Sequence, residues 1–169
     1  MSVDAELVAP FGTIAGLIRL HAAQAPQRRA LAQDGQTLSY AALDALMDRV
    51  AAALQRDGVQ PGEAIALCAG TSIAYAVTYL GALRAGVVVA PLAPGATAES
   101  LEGMVRDAGA RLLFTDREVA QALGPRTATV PRILLDEGTG GLGWQAWLAP
   151  LGARVPDAEV DADWPFNII

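Results

Sequence analysis

Two short segments constrain the fold most strongly. Ala64-Ile65-Ala66-Leu67-Cys68-Ala69 and Val87-Val88-Val89-Ala90 are apolar at odd and even positions alike. Successive side chains of a strand point to opposite faces, so a strand without polar alternation is covered on both sides. A sheet with one wet face does not suit these segments. A mostly parallel sheet flanked by helices on either side does, and that is the expected α/β fold class.

The intervening segments fit this expectation. Ser72 can cap a helix over 73–85 that is apolar nearly all round, and so buried, with Gly86 closing it. Pro91 and Pro94 stop the second strand. A helix over 98–108 has the stripe Leu101, Met104, Val105, Ala108, and Glu99 and Glu102 lie in its first turn, where the helix dipole favours acids. A strand over 111–115, a short helix over 118–123 and a strand over 132–135 continue an alternation that reads as βαβ units.

Upstream, Thr13 can cap a helix carrying Ile14, Leu17, Ile18 and His21, which Ala25-Pro26 ends. A strand over 29–32 precedes the turn Gln33-Asp34-Gly35-Gln36. Ser39 then caps the clearest amphipathic helix, with Leu43, Leu46, Met47, Val50 and Leu54 on one stripe. Asp44, Asp48, Arg49 and Arg56 are expected on its wet side, and Gly58 just past its end. Residues 136–163 are rich in glycine, proline and acids, with one amphipathic turn at 144–148, and 166–169 reads as a final strand.

Composition narrows the function classes. Hydrophobic residues make up 53% of 169, too many for a chain that stays disordered for want of apolar surface. A net charge of −6 argues against a nucleic-acid or anionic-membrane partner. No apolar run reaches the roughly 18 residues a bilayer span needs. Asp4 and Glu6 stand where a secretory signal carries positive charge, and a lone Cys68 forms no intramolecular disulfide, so a cytoplasmic location is expected. All 12 basic residues are arginine, which removes lysine Schiff-base, general-base and phosphate-clamp chemistry.

The candidate chemical groups each have a plainer explanation. Gly138-Thr139-Gly140-Gly141-Leu142-Gly143 has no adjacent cation and matches neither dinucleotide nor P-loop spacing, so it reads as a surface turn. His21, on an apolar stripe without a neighbouring partner, reads as a packed, hydrogen-bonded structural residue, and Cys68, in an apolar strand, as a core thiol. Asp157, Glu159, Asp161 and Asp163 alternate as in a calcium loop but lack its glycine and closing glutamate, which leaves a solvated linker. Arg28-Arg29 reads as surface charge. No residue is assigned a catalytic, cofactor-binding or metal role.

Four motifs in order nevertheless resemble a known family. They are Ala25-Pro26-Gln27-Arg28-Arg29-Ala30-Leu31, then Leu38-Ser39-Tyr40-Ala41-Ala42-Leu43, then Gly58-Val59-Gln60-Pro61-Gly62-Glu63-Ala64-Ile65-Ala66-Leu67, then Gly81-Ala82-Leu83-Arg84-Ala85-Gly86-Val87-Val88-Val89-Ala90-Pro91-Leu92-Ala93-Pro94. Together with Leu113-Phe114-Thr115-Asp116, they look like the opening of the adenylate-forming (AMP-binding) superfamily, over about residues 25–169. That superfamily includes acyl-CoA synthetases of fatty acid metabolism, peptide-synthetase adenylation domains and firefly luciferase. Members usually have Lys or Arg at the position of Arg84. Two positions depart from the pattern: Thr71 stands where many members have Asn, and Pro94-Gly95-Ala96-Thr97 lacks the basic residue common in CoA-forming members.

The resemblance implies an N-terminal subdomain of an acyl-CoA synthetase-like fold, with 12–135 as its main α/β core, 136–163 as a loop-rich connection and 166–169 leading to a phosphate-binding loop beyond Ile169. It implies a parent that is an AMP-forming carboxylate–CoA ligase using ATP, Mg2+ and CoA on a carboxylic acid, with both family lysines outside this chain. The 169-residue chain is then expected to be inactive alone, to pack against the parent's remaining subdomains, and to self-associate near 166–169. The alternatives are an adenylation domain that loads a carrier protein and a non-catalytic binding module.

Overall fold

The structure is a computed structural model describing residues 11–136 and 141–169. In chain order it comprises α1 (Ile14–Gln24), β1 (Arg29–Gln33), β2 (Gln36–Ser39), α2 (Tyr40–Arg56), β3 (Ala64–Cys68), α3 (Ile73–Arg84), β4 (Val88–Pro91), α4 (Ala98–Asp107), β5 (Leu113–Thr115), α5 (Arg117–Leu123), β6 (Arg132–Leu134), β7 (Leu142–Gly143) and α6 (Trp144–Trp147). Five strands form a wholly parallel sheet in the order β4-β3-β5-β6-β7. β1 and β2 make a separate antiparallel hairpin around Asp34 and Gly35, both at positive φ. None of the described helices is long and apolar enough to cross a membrane.

The two apolar strands are neighbours in the sheet and buried on both faces, as their sequence requires, although β4 is its end strand. All five residues of β3 are buried, and its alternate side chains enter two separate cores. Ile65 and Leu67 pack with Val89, Phe114 and Ile133 against α1, α2, α3 and α6. Ala66 and Cys68 pack with Leu113 against Leu101 and Val105 of α4 and Val119 and Leu123 of α5. The chain steps from β3 to β4 in one direction and from β4 across β3 to β5 in the other. Crossovers of one hand that move in opposite directions lay their helices on opposite faces, which places α3 and α4 on different sides.

Local capping follows the sequence. Thr13, Ser39 and Ser72 each accept a hydrogen bond from an amide three residues on, at 2.9, 3.3 and 3.0 Å. Thr97 and Asp116 do the same for α4 and α5, at 3.2 and 2.9 Å. Met104, expected on the apolar stripe of α4, is exposed, while Leu101 and Val105 are buried. The segment 166–169 makes a single parallel bridge at Asn167 rather than a full strand: Val89 N donates to Phe166 O at 3.0 Å and Ile168 N to Val89 O at 2.9 Å. Within 136–163, Trp144, Trp147, Leu148 and Ala149 are buried in the larger core.

The wet side of α2 differs from expectation. Asp48 is fully buried and Asp44 nearly so. They face Arg84, the last residue of α3, whose side chain is also inaccessible to solvent. Arg84 Nη2 donates to Asp44 Oδ1 at 2.7 Å, and Nη1 donates to Asp48 Oδ1 at 3.0 Å and to the Asp44 carbonyl at 2.8 Å. Nη2 also reaches Ala15 O of α1 at 3.4 Å. One guanidinium thus joins three helices. The period-3.6 pattern separates polar from apolar positions, and here part of the polar side meets another charged side chain instead of water.

Gly81, one turn before Arg84, sets how closely α2 and α3 approach. A Cβ on Gly81 would lie 2.5 Å from Val50 Cβ and 3.1 Å from Met47 O. Gly86, at φ +68°, lets the chain leave α3 for β4, and its carbonyl accepts from Gly62 N at 2.8 Å.

Two outcomes are expected in urea unfolding. Arg84→Met keeps the volume but leaves Asp44 and Asp48 without their buried partner, and it should cost about 3–5 kcal/mol. Gly81→Ala should lower the unfolding midpoint, at a net cost of about 1–2 kcal/mol. The overpacking penalty of ~1–3 kcal/mol outweighs the ~1 kcal/mol by which alanine favours a helix.

Candidate functional site

In an open parallel sheet, the place for a ligand is the crevice outside the carboxyl ends of the strands, where strand order reverses. Here that point lies between β3 and β5. The exits of β3, β5 and β6, with the β1–β2 hairpin, enclose a crevice of about 260 Å3 lined by Gln33, Gly70, Ser72, Asp116 and Asp136 among others.

Asp116 organises this rim. Its Oδ2 accepts from Gly70 N at 2.8 Å, tying the exit of β3 to that of β5, and its Oδ1 caps α5 through Val119 N at 2.9 Å. Asp136 accepts from Arg117 N at 2.9 Å. Gln33 reaches from the hairpin, accepting from Ile73 N at 2.9 Å and donating to Thr71 O at 3.1 Å. Two helix starts therefore face the crevice with leading amides already bonded to side chains of the same chain. A phosphate would have to displace them while facing two carboxylates. As built, the crevice does not suit an anion.

A second concavity, also about 260 Å3, is an apolar groove lined by Ile14, Leu83, Val87, Val160, Trp164 and Phe166, with Phe11 at its edge. Phe11, Ile14 and Phe166 of this lining are exposed, as are Ile168 and Ile169 further along the chain. Its composition suits packing against protein rather than chemistry on a polar substrate.

The groups weighed from the sequence do not converge on either place. His21 is half-buried and stacks on Tyr40 with ring centroids 4.7 Å apart, so packing comes from an aromatic face. Cys68 is buried, and desolvation, with the nearby Asp116 carboxylate, pushes its thiol up to about 11. Gly138, Thr139 and Gly140 lie outside the described residues, while Leu142 and Gly143 form β7 beside β6. Among the acids of 157–163, Asp157 is not a solvated linker residue: it pairs with Arg19 at 2.6 Å. Among the described residues no group of three or more His, Cys, Asp or Glu is placed to hold a metal ion. Among the described residues, the bonded leading amides and the two carboxylates of the rim do not suit the phosphates of ATP.

Sequence reasoning missed the double role of Asp116 and the clamp made by Gln33. The Thr115-Asp116 pair at a strand end signalled the first, whereas the second joins residues 40 apart with no local pattern.

The sequence matches the AMP-binding family, described as AMP-binding enzyme, over residues 18–168. It is 35% identical over 108 residues to an oxalate–CoA ligase of Arabidopsis thaliana, covering 63% of this chain and 21% of that enzyme. It is 38% identical over 104 residues to a linear gramicidin synthase of Brevibacillus parabrevis, covering 60% of this chain and 2% of that protein. This chain thus spans about a fifth or less of those two relatives. Among solved structures, a benzoate CoA ligase from Burkholderia xenovorans superposes with a TM-score of 0.78 at 24% identity, over 93% of this chain and 32% of the other. The anthranilate CoA ligase AuaEII, in complex with anthranoyl-AMP, gives 0.85 at 15% identity, over 99% and 32%. The structural likeness shows a shared fold, and the match across residues 18–168 makes the chain a member of the AMP-binding enzyme family.

Proposed function

We propose that this chain is the N-terminal portion of an AMP-forming carboxylate–CoA ligase of the cytoplasm and that it acts there as scaffold rather than as catalyst. The carrying observation is the rim of the parallel sheet: its loops are fixed by Asp116, Asp136 and Gln33, while its leading amides are taken and its facing charges are negative. Such a rim forms a wall beside a nucleotide site and does not supply the phosphate contacts.

In the parent, a carboxylate and MgATP would give an acyl-adenylate with release of pyrophosphate, and the CoA thiol would then take the acyl group with release of AMP. On this reading 12–135 is the main core and 136–163 a connection. Residues 166–169 run from the edge of β4 toward the phosphate-binding loop. The remaining subdomains would cover the apolar groove and the exposed Phe166, Ile168 and Ile169.

A second reading, an adenylation domain that loads a carrier protein, is favoured by the 38% identity to the linear gramicidin synthase. Supplying the parent with free CoA or with a carrier protein bearing a phosphopantetheine arm separates the two by which thiol becomes acylated.

Two measurements test the scaffold reading on the 169-residue chain. ATP–pyrophosphate exchange should stay at the no-enzyme blank with any carboxylic acid, and exchange above it would overturn the assignment. Light scattering should show association that falls when Phe166 and Ile168 are both changed to Ser, because exposed apolar patches drive contact between copies. A monomer at all concentrations would count against the idea that this face is made to be covered.

A further inference from the structure

The buried charges on α2 and α3 extend outward into a six-residue cluster that also holds the segment 150–165. Arg19 of α1 donates to Asp48 Oδ1 at 3.1 Å, and with Arg84, Asp44 and Asp48 it makes an inner quartet of two cations and two anions. The segment adds one residue of each sign. Asp157 Oδ1 lies 2.6 Å from Arg19 Nη2 and 3.2 Å from Arg84 Nε. Arg154 Nη1 lies 2.8 Å from Asp48 Oδ2 and 3.1 Å from Asp44 Oδ2. The hydrogen bond to Asp157 raises the Arg19 pKa, and those to Asp48 and Asp44 raise that of Arg154, so both stay charged.

The bookkeeping of charge is what matters. The quartet sums to zero, and so does the added pair. Detaching the segment as a whole leaves no net charge buried in the helical layer, whereas losing one partner of a buried pair is strongly destabilising. Accessibility grades outward from α2 and α3: Arg84 and Asp48 are fully enclosed, and the Asp157, Arg19 and Arg154 side chains are 28%, 35% and 64% exposed. Ala153 and Val155 also pack on the larger core, and the other hydrogen bonds are few. Ala158 N donates to Arg84 O at 2.9 Å, Trp164 Nε1 to Gly86 O at 3.2 Å, and Arg19 Nη2 to Val155 O at 3.4 Å. Beyond Trp164 the chain reaches β4, where Asn167 bridges Val89.

We propose that residues 150–165 form a releasable strap, clasped by Arg154 and Asp157 onto a self-neutral quartet, and that its attachment decides whether 166–168 pairs with β4. Release opens the edge of β4 while α1, α2, α3 and the parallel sheet stay folded, a local opening below the global unfolding free energy.

Native-state hydrogen exchange on the full 169-residue chain tests this with two separate variants, Asp157→Asn and Arg154→Gln; the second lies at the most exposed residue of the cluster and is the safer for folding. The amides of Ala158, Val89 and Ile168 report the strap and its bridge, and those of Ala66 and Leu113, bonded to Leu112 O and Pro131 O, report the sheet. A loss of protection of at least tenfold at the first three in either variant, with the last two unchanged, is expected. Unchanged protection at the strap in both variants, or equal loss at all five amides, overturns the proposal.

Discussion

A guanidinium with no access to water holds the helical layer together. Arg84 ends α3 inside the protein, and its donors go to two carboxylates and a carbonyl of α2 and to a carbonyl of α1. Burying a charge is tolerable only when it is paired and hydrogen-bonded, and the three helices are arranged so that both terminal nitrogens of this group have acceptors. Arginine suits the position better than lysine because its planar fork reaches several acceptors at once. The sheet is tied to that layer through α3, which connects β3 to β4.

The same stretch of sequence governs distance as well as charge. Gly81 lets α3 lie against Val50, and three residues later Arg84 reaches the acids of α2. Two residues beyond, Gly86 turns the chain into β4. Close approach, pairing and exit follow one another within six residues, which explains as packing a motif that otherwise looks like a mere signature. The opposite face of the sheet is thinner. Ala66 and Cys68 project opposite to Ile65 and Leu67, and among the described residues α4 and α5 are the helices that lie over them.

Much of this was legible in the sequence because it depends on local pattern. The two-sided apolar strands, the caps at Thr13, Ser39 and Ser72, and the alternation of strands with helices all involve residues a few positions apart. β2 and β7 were not foreseen. The first is four residues with little apolar alternation, and the second is two residues held by β6. Asp44 and Asp48 were expected in water because helical periodicity records polarity, not what lies opposite; Arg84, which reclassifies them, is 36 or more residues away. The candidate site was less legible for the same reason: Gly70 and Asp116 meet across 46 residues.

Gly86 also links events along the chain. A Cβ there would stand 2.9 Å from the Ala158 methyl and 3.2 Å from Pro61 Cβ. The turn before β3, the exit of α3 and the middle of the strap thus share one gap too small for another carbon. A side chain at position 86 has room only if Ala158 or Pro61 recedes. Three sites far apart in the sequence therefore meet at one point of contact that tolerates no added bulk at its centre.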